Sequence, residues 1–400
     1  MLVLLIMTAA LFCGCNSDGE QSSDTEPTTQ SVTAAPTTAA PTTLPATPDS
    51  AKKGGYDYVA IKKNSGEIIS QFDKIVAEKK FNGSIYMKLG TDFEYISSTG
   101  SANNNKHIDN SINTRFYVGD ITKQFTAAAV MQLSEKNKLS LDKTIDNYLP
   151  DYSFGEKITV KQLLNMTAGI KTYVNHNEIT NPQNYINGEL AEKLSEDNSA
   201  EQNKSIIHDW IYSQELSFEP GTQFYSSESN YFLLGEIIEQ VSGESYYSYL
   251  ENEIFNPLGM GSTNFEPDEK MAVAYENGAI TKSLNYSGVG YSAYGLISNV
   301  SDLLKWTDSL LSNQVLSEKS FKQIFSNQLA NLKDNKKSYG FGVNIDNKSV
   351  TSINRYDAFS SVLIYNTDKS EIYIALTNNT SSDNAELRSS FKKSIQKYAL

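Results

Sequence analysis

After residue 15 the chain contains no cysteine. That absence excludes disulfides, a cysteine nucleophile and any cysteine-ligated zinc or iron–sulfur centre downstream of that point. Histidine is almost as scarce. His107, His176 and His208 are the only ones among 400 residues, and none stands in an HExxH spacing. No GxSxG elbow occurs, so the nucleophile turn of an α/β-hydrolase is excluded as well. Long basic runs and solenoid-length repeats are also missing. The formal net charge is −13, from 47 acidic and 34 basic side chains, which argues against a protein that tracks nucleic-acid phosphates. Aromatics are plentiful, with 24 Tyr and 17 Phe. The length allows one large domain or two ordinary ones, with room for a sizeable core.

The two cysteines, Cys13 and Cys15, close the first apolar stretch. Residues 2–14 read LVLLIMTAALFCG. As a helix this segment spans about 20 Å, short of the roughly 30 Å hydrocarbon core of a bilayer. It reads as the apolar region of a signal peptide, residues 1–15. Phe12-Cys13-Gly14-Cys15 resembles a bacterial lipobox, although Phe12 stands where Leu is usual and no Lys or Arg precedes the run. The resemblance implies lipidation at Cys15 and attachment to the extracytoplasmic face of a bacterial membrane. The alternative is an ordinary cleaved signal and a secreted protein. Residues 16–53 have no aromatic side chain and hold five of the ten prolines: Pro27, Pro36, Pro41, Pro45 and Pro48. This Ser/Thr/Pro composition cannot bury a core and reads as a disordered tether.

Residues 54–400 read as the folded part. Ile68, Ile69, Phe72, Ile75 and Val76 recur at helical spacing within 65–80. Runs 83–90 and 93–101 form an expected hairpin, with Gly90-Thr91-Asp92 as its turn. Helices are expected at 121–136, 159–165, 202–214, 230–242 and 301–311, then strands at 339–346, 358–366 and 371–377, then a helix over 383–398. Strands at both ends with helices between them indicate an α+β fold. Its expected architecture is an antiparallel sheet flanked by helices, with an inserted helical lobe at about 120–285.

Residues 114–150, TRFYVGDITKQFTAAAVMQLSEKNKLSLDKTIDNYLP, closely resemble the serine β-lactamase and penicillin-binding-protein family, in its class C, D-alanyl-D-alanine carboxypeptidase and esterase branch. So do 158–170 (ITVKQLLNMTAGI), 219–243 (EPGTQFYSSESNYFLLGEIIEQVSG), 254–265 (IFNPLGMGSTNF) and 294–306 (YGLISNVSDLLKW). The resemblance covers roughly residues 65–400. It implies an antiparallel sheet, a helical lobe and an active site between them.

The same resemblance singles out positions that do not carry the family's chemistry. Its first motif is Ser-x-x-Lys at a helix start. That spacing sets hydroxyl and amine on one helical face, so the amine can take the proton. Here the four residues are Asp120-Ile121-Thr122-Lys123. The second motif is Tyr-x-Asn. Counting through the unchanged frame from Pro220-Gly221 to Leu234-Gly235 puts Ser226 at the Tyr position and Glu228 at the Asn position, with Tyr225 and Asn230 close by. The third motif, His-x-Gly or Lys-Thr-Gly on a strand, precedes a turn that Ala358-Phe359-Ser360-Ser361 resembles. Upstream, Ser352–Asp357 holds no His and no Gly. Met166 and Ala168 replace the usual His and Ser of another family stretch.

These departures point to a catalytically degenerate homologue: a lipid-anchored envelope protein that binds or scaffolds. Its expected partners are peptidoglycan peptides or another envelope component, and neither metal, cofactor nor nucleic acid is implied. The alternative is a hydrolase of the same fold with altered chemistry, in which Asp120 and Lys123 act directly. The remaining polar residues have blander readings. His107 and His176 lie in polar, loop-like stretches. His208 and Trp306 read as packing residues, as do Tyr246, Tyr247 and Tyr249. Ser226, Ser227, Ser360 and Ser361 lack an evident base. Asp120 at a helix N-terminus and Glu228 beside Lys123 read as a salt-bridge cluster, the alternative being an acid–base pair or a cation site.

Overall fold

The structure, a computed structural model, describes residues 55–175, 185–276, 279–280, 288–333, 336–356, 358–379 and 383–399. Residues 1–53, with Cys15, and His176 lie outside these. Six strands form one antiparallel sheet: β1 (Gly83–Leu89), β2 (Phe93–Thr99), β3 (Asn344–Asp346), β4 (Ser349–Tyr356), β5 (Phe359–Asn366) and β6 (Glu371–Thr377). Their spatial order is β2-β1-β6-β5-β4-β3. The pair β1 and β6 runs from Gly83 opposite Thr377 to Leu89 opposite Glu371, so the first hairpin closes directly onto the last strand. The α+β class and antiparallel sheet are therefore those expected from the sequence.

Burial follows position in the sheet. All seven residues of β6, EIYIALT, are buried, because helices cover both faces of a central strand. Edge strand β2 alternates instead, with Phe93 and Tyr95 inside and Glu94 and Ile96 outside. Strand period two divides the core. Ile85, Met87, Tyr373 and Ala375 face helices α1 (Ser65–Glu78) and α6 (Asn384–Ser394), where Phe72 stacks on Phe391 at 4.1 Å. Tyr86, Leu363, Ile374 and Leu376 point the other way, into the larger core built with α2 (Thr122–Glu135), α3 (Ala200–Tyr212), α4 (Glu228–Ser242) and α5 (Val300–Leu311).

Helix α2 positions the site and is buried from Thr122 to Leu133. A helix enclosed on every side needs no amphipathic stripe, and Ala127-Ala128-Ala129 let its neighbours approach closely. Its buried Gln124 is fully partnered. Gln124 Nε2 donates to Ser352 Oγ at 2.8 Å, and its Oε1 accepts from Trp306 Nε1 at 3.2 Å and Tyr365 OH at 3.1 Å. Trp306 also stacks on Phe125 at 4.0 Å, so its role is packing.

Two strands of the main sheet differ from the coarse sequence reading. The strand expected at 339–346 joins the sheet only over Asn344–Asp346. Gly342 turns the preceding backbone at φ +77°, and a Cβ there would meet the Lys123 carbonyl oxygen at 2.7 Å. Strand β4, SVTSINRY, was not among the expected runs. Most of its residues are polar and its Ile353 is 45% exposed, so no apolar run marks it, yet it pairs along its full length with β5. Among the described residues no helix is long and apolar enough to cross a membrane.

Candidate active site

The chain enters α2 through the turn Gly119–Ile121. Gly119 has φ +52°, and a Cβ there would meet the Asn354 side chain at 2.4 Å. Only glycine admits this contact, which presses β4 against the start of the helix. Asp120 and Lys123 lie one turn apart, and the Lys123 ammonium donates to Asp120 Oδ1. On its other side Lys123 Nζ donates to Glu228 Oε1 at 3.3 Å. Glu228 opens α4, where a negative charge suits the helix N-terminus. Its second oxygen accepts from Thr172 Oγ1 at 2.8 Å. Asp120 Oδ1 also accepts from Asn354 Nδ2 at 3.1 Å.

The Lys123 and Glu228 side chains are only 2% and 1% exposed, whereas Asp120 is 36% exposed. Burial by itself would lower the Lys123 pKa. The opposing charges of Asp120 and Glu228 outweigh it, and the net shift is upward. Lys123 is therefore an ammonium at neutral pH and has no lone pair to act as a base. Tyr339, buried beside it, has its pKa raised first by desolvation; the Lys123 charge pulls the other way without prevailing. That phenol stays protonated.

Asp120, Lys123 and Tyr339 line a cavity of about 110 Å³, together with Ser226, Asn344 and Ser352. Sites for drug-sized ligands run to about 300–1,000 Å³. Phe224 and Lys337 stand at the same cavity, the ammonium 5.0 Å from the ring centroid. Ser226 lines the cavity and Glu228 reaches Lys123. Tyr225 is 41% exposed and absent from the lining. Asn230 turns inward, its Nδ2 3.2 Å from Met166 Sδ.

The other sequence candidates fall elsewhere. His107 is exposed and ends a short turn at φ +55°. His208 Nδ1 is 2.7 Å from Glu236 Oε1 and stacks on Tyr212. The Glu236 hydrogen bond raises its pKa. Ser361 Oγ donates to the Val118 carbonyl at 2.7 Å, and Ser360 accepts from Asn384. Tyr246 and Tyr249 are buried. Among the described residues no cluster of His, Cys, Asp and Glu is placed to hold a metal. Thr172 and Asn354, which fix the two carboxylates, were not singled out from the sequence. Asn354 carried one readable signal: an amide where the family's third-motif strand has its catalytic-face residues.

A sequence model of the Beta-lactamase family matches residues 73–395. The chain belongs to that family. PbpX of Bacillus subtilis (strain 168) is 28% identical over 284 residues, covering 69% of this chain and 66% of that protein. Protein flp of Staphylococcus aureus (strain MRSA252) is 26% identical over 315 residues, covering 74% of this chain and 58% of its own length. The match thus spans just under two thirds of these relatives or less. The crystal structure of a penicillin binding protein from Bacillus halodurans superposes with a TM-score of 0.68 at 24% identity, covering 80% of this chain and 98% of that one. That likeness is one of fold.

Proposed function

We propose that this family member performs no serine-type acylation and acts in binding or scaffolding at the cell envelope. The observation that carries the reading is the locked ammonium: Lys123 lies between Asp120 and Glu228, and no hydroxyl stands one turn before it. In serine hydrolases, loss of the nucleophile lowers the rate by on the order of 10⁶. Asp120 is a poor substitute. Attack by a carboxylate on an amide gives a mixed anhydride and must expel a poor leaving group. The proposed partners are peptidoglycan peptides or another envelope component, in keeping with the penicillin-binding proteins among the structural neighbours. With so small a cavity, contact falls to its mouth, where Ile353 is exposed.

A fluorescent penicillin and a chromogenic β-lactam test the reading. The expected result is no covalent adduct and no hydrolysis above buffer. An adduct, or turnover abolished by Asp120→Ala, would favour the alternative, a hydrolase using Asp120 and Lys123.

In this reading residues 1–15 are an export signal, 16–53 a tether and 54–400 the functional domain, its helical lobe at about 120–285. Lipidation at Cys15 would hold the protein at the extracytoplasmic membrane face, since a diacylglyceryl anchor supplies two chains. Cys15→Ala is expected to release the protein into the medium or to block its processing, measured by fractionation. Normal processing with unchanged membrane retention would disprove the anchor.

A further inference from the structure

A second cavity, of about 360 Å³, lies in the helical part of the fold. It shares no lining residue with the Asp120 cavity. Its volume is within the range of sites that enclose small molecules. Tyr247, Phe255, Met260 and Phe265 form its apolar walls, and Glu251 and Glu266 stand among them. Phe265 packs against Tyr247 with ring centroids 4.6 Å apart and lies 6.5 Å from Phe255. Tyr247 and Phe265 are both partly exposed.

The backbone here is unusual. Glu251–Phe255 is a π-helical turn, closed by Asn256 N–H donating to the Glu251 carbonyl at 2.9 Å. Such turns are rare and concentrate at functional sites. This one brings Glu251 and Phe255 to the same cavity.

The lining carries two carboxylates and no cationic side chain. Arg115, behind the wall, is buried and committed to Asp268, to Asn264 Oδ1 and to the Glu266 carbonyl. Aromatic rings present negative faces, and carboxylates beside them add to that field. We propose that this cavity binds a small organic cation, an ammonium or quaternary ammonium group on a short apolar body. The rings take the alkyl groups and the charge together, and Glu251 supplies the counter-charge.

Titration calorimetry of the full chain with choline tests this, with 3,3-dimethylbutanol as the uncharged isostere. Saturable choline binding is expected, about tenfold or more tighter than the isostere. Phe265→Ala and Glu251→Gln should each weaken choline by about tenfold. Glu251 is exposed, so Glu251→Gln will fold even if Phe265→Ala does not. Equal binding of choline and its isostere would overturn the proposal. So would no saturation up to millimolar choline, or full affinity in folded Glu251→Gln.

Discussion

Glu228→Ala lowers the stability of the fold by about 3–5 kcal/mol in the expected result, because it strips one counter-charge from a buried ammonium. Lys123 and Glu228 are both almost fully enclosed, so bulk water does not take the place of the lost partner. The Thr172 hydroxyl loses its acceptor in the same step. Asp120→Ala and Asp120→Asn should also lower the melting temperature, but by less, since Asp120 is partly solvated. The cause is separable from simple loss of packing. Adding Lys123→Met to Glu228→Ala removes the under-compensated charge, which keeps only Asp120 as partner, and should recover much of the loss, a coupling read from a double-mutant cycle. The sign with pH also follows. The Lys123 pKa is raised in the fold, so its contribution is fully present below the ordinary lysine value and is lost only as pH climbs through the raised one. If Glu228→Ala melts like the parent, or the double variant is no more stable than Glu228→Ala, the ion-pair account fails.

Much of the fold was legible because its signals were periodic. The apolar spacing of Ile68, Phe72 and Val76 marked α1, and the run EIYIALT marked a strand buried on both faces. Strand β4 was not, because half of it faces solvent and its pairing with β5 is set by backbone hydrogen bonds rather than by composition. The meeting of Asp120, Lys123 and Glu228 was legible for a different reason. Asp120 and Lys123 are one helical turn apart, and the unchanged frame from Pro220 to Gly235 carried Glu228 to its place. Thr172 was not legible, and Asn354 only as an amide in the third-motif stretch. Each reaches the cluster across more than fifty residues of chain, from a loop and from a strand that composition concealed.

Asp120→Ser recreates Ser-x-x-Lys, yet that variant alone is expected to give no turnover of a chromogenic β-lactam or ester above background. Glu228 would still hold Lys123 as an ammonium. Ser226 cannot replace a tyrosine in proton transfer, because an aliphatic hydroxyl is far less acidic than a phenol. Asn354 would still fill the space beside Gly119, where the strand must come close to a substrate. The triple change Asp120→Ser, Ser226→Tyr, Glu228→Asn alters the balance. With both carboxylates gone, burial becomes the governing influence on Lys123 and lowers its pKa, so the free amine becomes accessible. General-base assistance typically contributes about 10²–10⁴-fold, and the triple variant should exceed Asp120→Ser by about 10²-fold. Adding Asn354→Gly should raise it further by opening the strand face. Such groups act as a unit and fail non-additively, so intermediate variants should stay near background. A melting curve on each variant separates inactivity from unfolding. Turnover by Asp120→Ser alone at the level of the triple variant would show that Glu228 does not hold Lys123 in its charged form.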